Sequence, residues 1–380
     1  MDDLGMAAQV GPFTVRGATV IRVSIPMREP FRISSGAVAR KEALLVRLSD
    51  GSAFGWGESS AMPGSFYSSE TPESCQRELL ECLIPGVLGR RFESVVDLGA
   101  HLEGLSSSRF ARVALETAAW ELVARGRGVA IRRLLGVPDR AIPSGLAIGL
   151  YDTEAELCAA IHRYWSDGYR RLKIKIKRGQ DVALVKAVRR EFGNIPLFVD
   201  ANADYTRDDF AVFEELDDYG LTMFEQPLAK EDLEGAAMLQ ERVKTPICLD
   251  EGIETEADAR RAIELGSCRI VNIKLQRVGG YLEALRICRV SEEAAIPLWM
   301  GTMPELGVGS AQALTLASHP AFVFPADVEP SRRWYLDDVV RPEIALSDGC
   351  LAVPDGPGLG YEVAEEKLER WAVRRWRFAG

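Results

Sequence analysis

The chain has 380 residues, 47% of them apolar and 27% charged, and a formal net charge of −10. That length implies two domains, and the negative balance argues against nucleic acid or an anionic membrane as partner. No apolar run approaches the ~18 residues of a membrane span, and the N-terminus MDDLGMAAQVGPF has no basic stretch leading into an apolar one, so a cytoplasmic protein is expected.

Residues 12–60 read as antiparallel strands: ATVIRVSIPM and EALLVRLSD, then a turn at Asp50-Gly51 into SAFGWGES. Residues 71–136 switch to helical periodicity, with Ser108 placed as an N-cap before the longest run. An α+β domain over 1–138 is expected. Two segments, Phe31–Gly36 and Met62–Tyr67, mix glycine, serine and aromatic residues, the composition of loops that close over a pocket.

From Ile142 onward strands and helices alternate. A helix is expected from Thr153, where Glu156 three residues on completes a capping box. Others follow near 181–193, 206–219, 230–243, 255–265, 279–294 and 304–318. IPLWMGT (296–302) and AFVFPAD (321–327) bring the strands to eight, which points to a closed βα barrel over 139–345. No GxGxxG follows the first strand, against a dinucleotide-binding sheet. Residues 346–380 are expected to return to the first domain, through a helix at 363–373 and a docked terminus, ERWAVRRWRFAG, with solvated arginines.

Within the alternation, Lys175, Asp200, Glu225, Asp250 and Lys274 recur at intervals of 25, 25, 25 and 24 residues. Each sits in or at the end of an apolar run, so one βα unit of constant length separates each from the next. Three carboxylates then stand side by side at strand ends. Brought together without a cation, their pKa values would rise steeply. Oxygen ligands with no His or Cys favour Mg2+, with Mn2+ as substitute. Asn202 and Glu251 lie beside these positions and suit a supporting role.

His101, His162 and His319 all lie away from the ruled positions, which leaves lysine as the proton-transfer group. In RLKIKIK, period two places Lys173, Lys175 and Lys177 on one strand face, inward in a barrel whose outer face packs on helices. Lys274 falls on the far side of the carboxylates from Lys175. A substrate carboxylate held by the metal would present its α-carbon between two lysines, and burial with metal charge is expected to lower a lysine pKa. The seven cysteines are scattered without CxxC and read as small core residues of a reducing compartment.

YSSE (67–70), GYRRLKIKIK (168–177), VDANADYT (199–206), FEQPLAKEDL (224–233), TPICLDE (245–251), IVNIK with RVGGYLEA (270–284) and VPDGPGLG (353–360) resemble the enolase superfamily in its muconate-lactonizing subgroup. The likeness is greatest to the branch of N-acylamino acid (N-succinylamino acid) racemases and o-succinylbenzoate synthases. It implies a modified (β/α)8 barrel of the TIM type, in (β/α)7β form, with an N-terminal α+β capping domain completed by the C-terminal segment. It also implies Asp200, Glu225 and Asp250 as metal ligands, Lys175 as base assisted by Lys173, and Lys274 on the opposite face. Arg277 matches a position associated with racemases of this branch.

Departures from the family pattern cluster near these residues: Leu275, Gln276, Gly252, Ala147 and the run Gly301-Thr302-Met303. Of these, Ala147, Gly301, Thr302 and Met303, together with Phe31 and Tyr67, are the candidate substrate pocket. The resemblance implies a small-molecule carboxylate substrate, a homo-oligomer, and racemisation of N-acyl amino acids as the leading activity. Syn-dehydration to o-succinylbenzoate, muconate-type cycloisomerisation and a non-enzymatic binding relative are the alternatives.

Overall fold

The computed structural model describes residues 3–33, 36–64 and 67–380. After a short helix at Asp3–Ala7, three antiparallel strands begin the first sheet: β1 (Gly17–Ile33), β2 (Gly36–Ser49) and β3 (Phe54–Ser59). The turn between β2 and β3 is held by the Asp50 carboxylate, which accepts from the backbone of Ser52 at 2.8 Å and Ala53 at 2.7 Å. A helix at Arg109–Arg127, capped by Ser108 Oγ accepting from Ala111 N, packs its apolar face on this sheet. Gly55 and Gly57 permit the approach, because a Cβ on either would meet helix backbone at 2.1 Å or less.

Seven parallel strands form the second sheet: β4 (Leu146–Ile148), β5 (Leu172–Lys175), β6 (Leu197–Asp200), β7 (Phe224–Glu225), β8 (Ile247–Leu249), β9 (Ile270–Ile273) and β10 (Leu298–Met300). Their spatial order equals their sequence order, as in a barrel wound by successive right-handed βα units. Every residue of these strands is buried, since one face meets the helices and the other the barrel interior. The expected eighth strand, 321–327, is not a regular strand. It touches its neighbours through single bridges, Leu298↔Phe322 on one side and Ser144↔Ala326 on the other. Pro320 and Pro325 carry no N–H for a ladder, so the segment joins the seventh strand to the first through these bridges and isolated backbone hydrogen bonds such as Asp327 N to Met300 O at 2.9 Å.

The helices fall where the periodicity places them, from Glu154–Trp165 with its Thr153/Glu156 capping box to Gly307–Ala317. After a helix at Glu365–Trp371, residues Ala372–Ala379 form β11, which joins β1 antiparallel and becomes the fourth strand of the first sheet. Arginine alternating with Trp376 and Phe378 is an edge-strand pattern, since an edge strand tolerates charge. No helix among the described residues is long and apolar enough to cross a membrane.

Candidate active site

Parallel register decides which ruled residues stand level. Lys175 pairs with Asp200, and Asp200 with Glu225. Glu225 is level with Cys248, so Asp250 lies two residues further along its strand despite the equal sequence interval. The carboxylate strands β6, β7 and β8 sit between the lysine strands β5 and β9.

All three carboxylates are fully buried, and Lys173, Lys175 and Lys274 are nearly so. Asp200 accepts from Lys175, while Asp250 accepts from Lys274 at 2.7 Å and from Arg277. Burial alone would raise both aspartates; the facing cations override it and hold both below the ordinary carboxylate range. Glu225 has no such partner of its own. Asn272 donates to its Oε1 at 2.9 Å, but its Oε2 has no hydrogen bond, with Lys173 Nζ 3.3 Å away. Burial and then the Asp200 charge drive its pKa well above the usual value.

The expected lowering of a lysine pKa is not what the protein's own charges produce. Burial lowers Lys274, but Asp250 and then Tyr67 raise it further, and the net is well above the ordinary value. For Lys173 burial is likewise outweighed, by Asp327, Glu225 and Asp200.

Among the described residues no three acidic, histidine or cysteine side chains already stand at ligand spacing, with Asp200 turned onto Lys175 and Asp250 onto Lys274 and Arg277. The donor set nevertheless fits a hard divalent ion. It is all oxygen, and Glu225 Oε2, Glu251 Oε2 and Asn202 Oδ1 are buried without a hydrogen-bond partner. Asn202 donates to Glu251 Oε1 at 3.1 Å, and burial with Asp250 and Asp200 pushes Glu251 up to about 7.

A cavity at the barrel mouth is lined by Phe31, Tyr67, Ala147, Thr302 and Met303 of the expected pocket, together with Lys173, Lys175, Asn202 and Lys274. Gly301 does not line it. Its Cα lies under Asn272, where a Cβ would come within 2.4 Å of Oδ1. Parts of the two expected covering loops, Ser34, Ser35, Ser65 and Phe66, lie outside the described residues. Asp327, Trp334, Met62 and Pro304 also line the cavity. Asp327 was not singled out from the sequence although it ends AFVFPAD; it accepts from Lys173 and Arg171. Gln226 was likewise missed. At φ +38, its side-chain oxygen accepts from Asp250 N at 2.9 Å and Gly252 N at 3.1 Å, fixing the β8 end. Gln276, one of the departures, joins the two halves of the protein: it accepts from Ser60 N at 2.9 Å and donates to Glu58 O at 3.0 Å.

Residues 15–136 match the model of the mandelate racemase / muconate lactonizing enzyme N-terminal domain, and residues 156–367 match the enolase C-terminal domain-like model. The chain belongs to the enolase superfamily.

Within this superfamily the protein is 40% identical over 357 residues to an o-succinylbenzoate synthase of Bacillus subtilis, covering 94% of this chain and 96% of the relative. It is 41% identical over 354 residues to an N-succinylamino acid racemase of an Amycolatopsis species, covering 93% and 96%. A crystal structure of an enolase superfamily member from Listeria innocua superposes with a TM-score of 0.92 at 33% identity, covering 97% of this chain and 100% of the other. The protein is therefore an enolase-superfamily enzyme whose relatives include both lyases and isomerases.

Proposed function

We propose that this enzyme removes the proton α to a substrate carboxylate and returns one on either face, racemising N-acyl amino acids, N-succinyl derivatives foremost. The observation that carries the reading is the strand order: one lysine strand, three carboxylate strands, one lysine strand. Asp200, Glu225 and Asp250 would hold Mg2+, with Mn2+ as substitute. When bound, the cation supplies positive charge against the negative charge that develops as the α-proton leaves.

The lysines do the proton transfer. Lys175 and Lys274 flank the carboxylates, each paired with its own neighbour, Asp200 or Asp250. As neutral amine one takes the α-proton from its side; as ammonium the other delivers one from its own. Lys173, held by Asp327, stays charged and positions the substrate's developing anion. Asn202, Glu251 and Arg277 support and orient the residues they touch. Tyr67, Phe31, Met303 and Trp334 wall the pocket, and Phe31 meets Trp334 edge-on at 5.0 Å.

A second reading, syn-dehydration to o-succinylbenzoate, is favoured by the 40% identity to the synthase of Bacillus subtilis. There Lys175 would act as base and then acid, and Lys274 would serve by its charge. Purified enzyme with Mg2+ and single-handed N-succinyl amino acids should lose optical rotation, and Lys274→Arg should abolish that loss while sparing dehydration. Equal loss of both activities in that variant would sink the division of roles.

A further inference from the structure

A second cavity lies apart from the lysine–carboxylate site. It is a groove of about 690 Å3 between the first sheet and the returning C-terminal segment, and it shares no lining residue with the barrel-mouth cavity. Its volume lies within the range of small-molecule sites.

Four arginines from three elements line it: Arg47 from β2, Arg125 from the helix Arg109–Arg127, and Arg375 and Arg377 from β11. Two are already neutralised, Arg125 by Glu121 at 2.7 Å and Arg375 by Glu365 at 2.6 Å. Glu362 lines the rim as well. The side chains of Arg47 and Arg377 form no ion pair or hydrogen bond among the described residues; Arg47 lies over the Phe54 ring at 4.1 Å.

Register puts the two uncompensated arginines on one rung. Arg377 is opposite Thr19, and Thr19 is opposite Arg47, which in turn is opposite Trp56. Directly opposed residues share a sheet face, and two strand spacings separate Arg377 from Arg47 by ~10 Å. Two guanidinium arms can therefore close from both sides over one anion above the Thr19 hydroxyl. Phe54, Trp56 and Tyr361 supply the apolar wall. In a chain of net charge −10, this local reversal of sign is a feature the proton-transfer reading does not use.

We infer that the groove binds a small organic polyanion, its phosphate or carboxylate groups held between Arg47 and Arg377. Charge-assisted, two-pronged arginine contacts are the strongest hydrogen bonds available for such groups.

Calorimetric titration of the full chain in EDTA, with pyrophosphate and with citrate at fixed ionic strength, tests this. One saturable site for at least one probe is expected, weakened about tenfold or more by Arg47→Ala and by Arg377→Ala. Arg374→Ala on the same strand and Lys175→Ala in the barrel should leave it unchanged. Tighter pyrophosphate would assign a phosphorylated ligand and tighter citrate a polycarboxylate. Retained α-proton exchange in the arginine variants verifies that they fold. No saturable binding of either probe, or binding indifferent to both arginine substitutions, would overturn the assignment.

Discussion

The Tyr67 hydroxyl stands 3.0 Å from Lys274 Nζ, and its ring centroid lies 4.5 Å from the same nitrogen. That hydroxyl also accepts from Arg277 at 3.2 Å and donates to Asp250 at 3.3 Å. A single residue of the N-terminal part thus fixes the lysine on one flank of the carboxylates, and among the described residues it makes no hydrogen bond to Lys175 or Asp200 on the other. Tyr67→Phe keeps the ring and removes the acceptor. Losing a hydrogen bond to a charged group costs about 1.5 kcal/mol, roughly tenfold in rate. Deuterium exchange from the enantiomer served by Lys274 should slow by that factor. The other enantiomer should change much less, and equal slowing would contradict the one-sided contact.

Lys173 and Asp327 form a buried pair that also engages Arg171. Asp327→Asn removes the carboxylate shared by two buried cations, leaving Lys173 with Glu225 at 3.3 Å and Arg171 with the Pro325 carbonyl at 3.1 Å. Breaking a buried pair destabilises by about 3–5 kcal/mol, and the lower end is expected here. Urea unfolding should register a loss of that order. A loss below about 1 kcal/mol would mean the cations are satisfied elsewhere.

Gly301 leaves room for the Asn272 amide that donates to Glu225. In Gly301→Ala the new methyl displaces that amide, at a packing cost of about 1–3 kcal/mol. Support residues of metal ligands typically carry about 10–100-fold in affinity. Mg2+ titration should show a loss in that range; unchanged affinity would place Asn272 outside the ligand support.

Glu116 is buried between the helices Arg109–Arg127 and Tyr281–Glu293, accepting from Trp120 Nε1 at 2.6 Å and Tyr281 N at 2.7 Å. Burial pushes it up to about 7, although those hydrogen bonds oppose the shift. A carboxyl raised on folding binds its proton in the native state while the unfolded chain has released it. Its contribution to stability is therefore full below the unfolded pKa and is lost as pH rises towards 7. Glu116→Gln cannot titrate, so the stability difference between wild type and variant should shift by about 3 kcal/mol across pH 4.5–7, against the wild type at the upper end. A constant difference across that window would refute the linkage.

The ruled positions were legible because loops and helices of constant length repeat a residue at the same strand end, and the lysine alternation in RLKIKIK revealed which face turned inward. What escaped has physical causes. Equal spacing says nothing of register, so the two-residue offset of Asp250 against Glu225 needed coordinates. Asp327 escaped because its segment is interrupted by prolines and stands 53 residues beyond Lys274, off the interval. Asn272 and Gly301 act through contact between neighbouring strands, which no single-strand pattern displays. β11 was hidden because charge on an edge strand looks like charge on a solvated tail.

In the proposed racemisation Lys175 and Lys274 serve opposite faces of one α-carbon. The decisive measurement is α-deuterium uptake from D2O, with Mg2+, into each hand of an N-succinyl amino acid separately. Wild type should label both. Lys175→Ala should stop labelling of one hand and Lys274→Ala of the other. Labelling of a single hand by wild type, or wild-type labelling of both hands by Lys274→Ala, would contradict it.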